Sequence, residues 1–143
     1  MNTPLEHAKH NRKACDYLHE KGEFPDWVVT TAFYSAMHFV YAAIFPFDEA
    51  GFKYNNFQEY YNKNKTAKDT QHSVTLDLVQ KKFDEKIAAK YKQIKDAAHT
   101  ARYQDYAHPP EVVKIIRLNL KKIEEYCEKK ISEKPTPPLP ETP

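Results

Sequence analysis

The densest apolar run in the chain lies between Asp26 and Phe45, DWVVTTAFYSAMHFVYAAIF. Set at 100° per residue, Phe33, Ala36, Met37, Val40 and Ile44 fall on one stripe, the i, i+3, i+4, i+7 spacing of a buried helix face. A second stripe about 120° away carries Thr31, Tyr34, His38, Tyr41 and Phe45. Its side chains have apolar bodies and mostly polar tips, so they can pack while aiming hydrogen-bonding groups at a cleft or a partner. A helix apolar around most of its circumference belongs at the centre of a helical assembly. Its length also suffices for a membrane span. Thr30, Thr31, Tyr34, Ser35, His38 and Tyr41 interrupt the run, however, and no second span follows. The expectation is a core helix and no membrane.

The flanking pattern predicts helices on both sides. Thr3-Pro4-Leu5-Glu6 reads as a helix start, with Thr3 as N-cap, Pro4 at the first helical position and Glu6 closing a capping box. That helix should run to about Lys21 and stop at Gly22, with Ala8, Ala14, Cys15 and Leu18 inward and His7 and Asn11 on the same side. Residues 46–69 change character to Phe, Tyr, Asn and Lys, and read as a long connection with a short helix near Phe57–Tyr61. Its aromatics are expected to fold back on the core; the alternative is stacking on single-stranded RNA. Residues 72–83 predict a shorter helix. Ile87 to about Ala107 predict a long one, with Ile87, Tyr91, Ile94, Ala98 and Ala101 facing inward and His99, Arg102 and Tyr106 in a separate polar stripe. Pro109-Pro110 breaks the chain before a last helix, about Glu111–Ser132, whose core stripe is Val113, Ile116, Leu120, Ile123 and Cys127. Ile115 and Leu118 fall off that stripe, where they can mark a partner surface.

Composition agrees with an all-α chain. Among 143 residues there are two Gly and ten Pro, and five of the Pro fall in the last nine residues, so long stretches lack either helix breaker. The expected domain is a helical bundle over residues 1–132, followed by an extended, disordered Pro-rich tail over 133–143. A formal charge of +2 neither demands nor excludes nucleic acid, so a local patch would have to carry any such role. Cys15 and Cys127 are too few for a disulfide framework. With no apolar signal-peptide core in residues 1–20, a reduced cytoplasmic setting is expected.

No Gly-rich phosphate loop, paired-cysteine site or HExxH motif is present. His7 and His10 have chelating spacing but no nearby acidic cluster, so neither a metal nor a cofactor is expected. Asn11 on an apolar face needs a partner, either a neighbouring backbone group or a site.

Asp26-Trp27 followed by Phe33-Tyr34-Ser35-Ala36-Met37-His38-Phe39-Val40 resembles the central helix of a HEPN-domain subfamily with the pattern DWxxxxxFYxAxHxV. His72, Tyr91 and Ala101-Arg102-Tyr103 match the same subfamily in order, over about residues 5–130. The resemblance implies an up-and-down bundle of four to five helices, frequently dimeric, that acts on or binds RNA or nucleotides. It also implies a toxin, an antitoxin partner or an accessory domain of antiviral defence. Ribonuclease members carry an Arg followed after four to six residues by a His, and five residues separate Arg102 from His108. In that reading the protein is a metal-independent endoribonuclease, with Arg102 on phosphate and His108 as general acid/base. Six residues on an ideal helix place the two side chains about 120° apart, so His108 must lie past the helix end or face a partner subunit. The alternative is a catalytically silent module that holds nucleotide, RNA or a protein partner, with Arg102 and His38 pairing with groups such as Asn11 or Asp105. Candidate binding residues are His38, Asn11, His72, Tyr103 and His99.

Overall fold

The computed structural model describes residues 2–103 and 107–135, with Tyr103 by its backbone alone. The expected continuation of the long helix through 104–106, the Asp105 and Tyr106 positions, the Tyr103 side chain and tail residues 136–143 lie outside the described residues.

Thr3 Oγ1 accepts from the Glu6 amide and starts α1 (Pro4–Lys21), which Gly22 ends in the left-handed region at φ 72°. That conformation suits Gly and lets its amide close on the last carbonyls of the helix. α2 (Pro25–Ile44) follows after three residues. Next come a hairpin of β1 (Phe47–Glu49) and β2 (Phe52–Tyr54), then α3 (Phe57–Asn64), α4 (Gln71–Lys82), α5 (Glu85–Tyr103) and α6 (Pro110–Ser132). The described residues are thus mostly helical, with six helices and one small antiparallel sheet.

The hairpin adds two short strands to the expected long connection over residues 46–69, whose short helix near Phe57–Tyr61 is α3. Ala50 at φ 52° and Gly51 at φ 78° form a two-residue turn with both central residues in the left-handed region. That geometry matches the right-handed twist of paired strands. Phe47 sits opposite Tyr54, their rings 5.3 Å apart. Most of the aromatics fold back as expected. Tyr54, Phe57 and Tyr60 are buried, and Phe57 stacks on Tyr41 of α2 at 4.6 Å.

α2 is packed against α1, α4, α5 and α6. Phe33, Ala36, Val40 and Ile44 are buried as expected, while Met37 is only partly covered. The buried arc is wider than one stripe, because Val29, Ala32, Phe39 and Ala43 are also closed off by neighbouring helices. α2 is the one described helix long and apolar enough to cross a membrane, and 61% of its apolar window is buried. Close approach of α1 and α2 rests on small side chains: the fully buried Ser35 hydroxyl donates to the Ala8 carbonyl at 2.8 Å. α1 and α6 are joined by Arg12, which donates to the Glu124 carboxylate, and by Arg117 to Asp16 at 3.0 Å. Lys134 donates to the Ala42 and Phe45 carbonyls at 2.8 Å each, satisfying acceptors at the C-terminal end of α2.

The expected core stripes of α5 and α6 are buried except Ile87, which is only partly covered. Cys15 and Cys127 are free and buried. Burial raises both thiols, Cys127 to about 12, so neither is an exposed thiolate.

Two variants test this core. Val40→Asp places an unpaired charge at a fully buried position and is expected to cost about 3 kcal/mol or more. The Tyr91 hydroxyl is buried with no hydrogen-bond partner among the described residues. Tyr91→Phe removes that uncompensated group and is expected to leave stability unchanged or raise it by about 1 kcal/mol. Urea denaturation of both variants reads both effects; a Tyr91→Phe loss above about 1 kcal/mol would show that the hydroxyl is bonded in solution.

Candidate functional site at the cleft between α4 and α5

Lys95, His99 and Arg102 recur at i, i+4 and i+7, so α5 presents them along one stripe. α4 begins beside them. Thr70 caps it, accepting from the Ser73 amide while the Ser73 hydroxyl accepts from the Thr70 amide, and His72 follows in the first turn. Together Thr70, His72, Lys95, His99 and Arg102 line a cleft of about 420 Å³. Its described lining contains two cations and two imidazoles.

Two aromatic residues of α2 organise this cleft. The His72 ring meets Phe33 edge-on at 5.1 Å and approaches Tyr34 at 6.4 Å. The Arg102 guanidinium lies 5.5 Å from the Phe33 ring centre and 6.0 Å from that of Tyr34. Guanidinium over an aromatic face is attractive and limits the rotamers the long side chain can visit. Burial, then the charges of Arg102 and Lys95, hold His72 below the usual histidine pKa. The neutral imidazole is therefore favoured in the unliganded cleft. Its Nδ1 is buried and has no hydrogen-bond partner among the described residues.

The other candidates are distributed elsewhere. His38 stacks on His7 at 5.0 Å, in a second cavity of about 480 Å³ shared with Tyr41, Asn55, Asn56 and Phe57. Burial and then His7 lower the His38 pKa. Asn11 Nδ2 donates to the His7 carbonyl at 2.9 Å, a bond within α1. His108 lies between α5 and α6 and lines a third cavity of about 230 Å³ with Leu18, Phe24 and Val28. Arg102 and His108 thus border different cavities within this chain. His72, His99 and Arg102 share one, while Asn11 and His38 do not join them.

Lys95 and Thr70 were missing from the sequence-derived set. Lys95 was legible as the residue four before His99, extending its stripe. Thr70 was not, because only the fold brings the start of α4 against α5. A further cavity, about 510 Å³ between α1 and α6, carries Arg12, Asp16, Arg117 and Glu124, whose charges pair with one another. Among the described residues no three His, Cys, Asp or Glu side chains gather to hold a metal ion. The chain matches no family model, no curated protein and no solved structure.

The electrostatics can be checked directly. Arg102→Gln removes one of the charges depressing His72, so its titration should move up toward that of an ordinary histidine, read by NMR. His38 and His72 both titrate lower when folded than unfolded. The unfolded chain therefore binds more protons, and stability should be full above the unfolded value of about 6.5. It should decline as pH falls through that value, and level off below the folded-state pKa values. Unfolding midpoints that are flat between pH 8 and 5 would contradict the assignment.

Proposed function

We propose that the chain is a HEPN-like helical bundle, its helices running up and down, that binds RNA or a nucleotide through the cleft between α4 and α5. The observation that carries this reading is the meeting of Lys95 and Arg102 with His72 and His99 in one cavity. Paired cations hold phosphate oxygens, and a guanidinium can grip two of them at once. Phe33 and Tyr34 belong to the motif that resembles the HEPN central helix, and they are the residues that seat Arg102 and His72. The binding module is the better-supported form, because Arg102 and His108 border separate cavities. A cytoplasmic setting accords with the two free, buried thiols.

The endoribonuclease reading keeps one supporting observation. His108 lies past the described end of α5, and its Nε2 is buried with no partner among the described residues. In a homodimer it would complete a site with Arg102 of the other protomer. Ile115 and Leu118, 44% and 53% exposed on α6, supply apolar surface for such pairing. A toxin–antitoxin or antiviral partner would be engaged by the same class of protein.

Fluorescence anisotropy with a single-stranded RNA should show binding that weakens with salt. Arg102→Gln should lower affinity at least about tenfold and reduce the salt slope by about 0.7, with Arg117→Gln unchanged. Salt-independent binding, or none, would sink the reading. Incubation with RNA in chelator should leave it intact; cleavage abolished in His108→Ala would establish the enzyme instead.

Light scattering at high protein concentration should give twice the chain mass, falling to the monomer mass in Leu118→Asp. A wild-type monomer would remove the dimer.

A further inference from the structure

We infer that the cleft between α4 and α5 is built for a phosphate monoester, the terminal phosphate of an RNA end or of a free nucleotide, in preference to an internal phosphodiester. This rests on the reading of the cleft as a phosphate site and narrows its ligand.

The charge count comes first. Lys95 and Arg102 supply two full positive charges. An internal diester brings a single negative charge, whereas a terminal phosphate brings about −1.5 to −2 near neutral pH. The dianion is the closer match.

Donor chemistry points the same way. A monoester exposes three terminal oxygens, each able to accept more than one hydrogen bond. The cleft offers the Lys95 ammonium, the Arg102 guanidinium, the His72 and His99 rings and the Thr70 hydroxyl. Guanidinium carries five N–H donors, so a contact made elsewhere by Arg102 still leaves donors for the anion. A diester, with two unesterified oxygens, has fewer acceptor positions for these donors. His72 adds an adjustable group: held neutral by burial and by Arg102 and Lys95, its ring regains a reason to protonate when a dianion enters between those charges.

Space is consistent with more than a bare ion. A volume of about 420 Å³ lies in the range of small-molecule sites, so the phosphate can arrive attached to a nucleoside. The Phe33 and Tyr34 rings beside Arg102 fix the guanidinium before the ligand arrives, which limits the ordering cost of binding.

The experiment compares ligands that differ by one phosphate. Calorimetric titration of the full chain would use a short RNA with a 5′-phosphate, the same RNA with a 5′-hydroxyl, a 3′-phosphorylated RNA and adenosine monophosphate. At least one phosphorylated RNA is expected to bind about tenfold or more tighter than the hydroxyl form. That preference should disappear in Lys95→Gln and in Arg102→Gln, each checked for a native helical spectrum, and persist in Arg117→Gln. Binding in two buffers of different ionisation enthalpy should show proton uptake with the wild type and less with His72→Gln. Equal affinity for phosphorylated and hydroxyl RNA would overturn the inference while leaving RNA binding standing. Binding of the mononucleotide without any RNA would support the inference with a nucleotide as its source, and would remove RNA as the ligand. No binding of any probe would overturn both.

Discussion

α2 has no broad polar face, so most of its surface must be closed off by neighbouring helices. More than half of its residues are buried, including Ser35 and Thr30, so α1, α4, α5 and α6 must all find places against it. Burial of that much apolar side chain is the favourable term large enough to offset ordering four neighbouring helices. It also imposes a rule on the polar atoms α2 buries: each must be bonded inside the fold. Thr30 donates back to the Asp26 carbonyl at 2.8 Å, and Ser35 reaches across to the Ala8 carbonyl of α1. The second bond is possible only because Ala8 and Ser35 are small enough to let two backbones approach. Lys134, arriving from beyond α6, then satisfies carbonyls at the far end of the same helix.

The same helix builds the site. Phe33 is wholly buried, yet one part of its ring meets His72 and another lies near the Arg102 guanidinium. One side chain therefore serves packing and the geometry of the cleft together. The cationic stripe of α5 gains its orientation from a rigid, buried partner rather than from a loop, an arrangement that favours preorganisation. It also places titrating groups at the edge of the core. His72 and His38 are each partly buried against α2, and burial is the first cause of both depressed pKa values.

Some of the site was legible before any coordinates. His99 and Arg102 declared themselves as a polar stripe beside the core face of α5, and Phe33-Tyr34 as part of a motif. Their meeting with Thr70 and His72 was not legible, because about thirty residues separate the two segments (72 to 102) and no local pattern encodes which helix starts beside which. His38 and Asn11 looked like site residues for the same reason that His72 did, as polar groups on mainly apolar faces. The fold divides them: Asn11 bonds its own helix, His38 stacks on His7, and only His72 faces the cations. Arg102 and His108 show the reverse case, a spacing that suggested one site and a fold that gives each a different cavity within the chain.

Periodicity and capping chemistry, both local, were sufficient to define the helices and their inward faces: Thr3 and Gly22 bound α1, and the stripes of α5 and α6 are buried nearly as read. The short hairpin was overlooked because three-residue strands carry too little alternation to register, although Ala50-Gly51 holds the turn. What only the tertiary structure decided is how wide the buried arc of α2 is, which polar residues fall on its rim, and which of those rims become clefts. These are properties of neighbours distant in sequence, set by side-chain volume and by the need to satisfy buried polar atoms across helices, and a one-dimensional pattern contains neither.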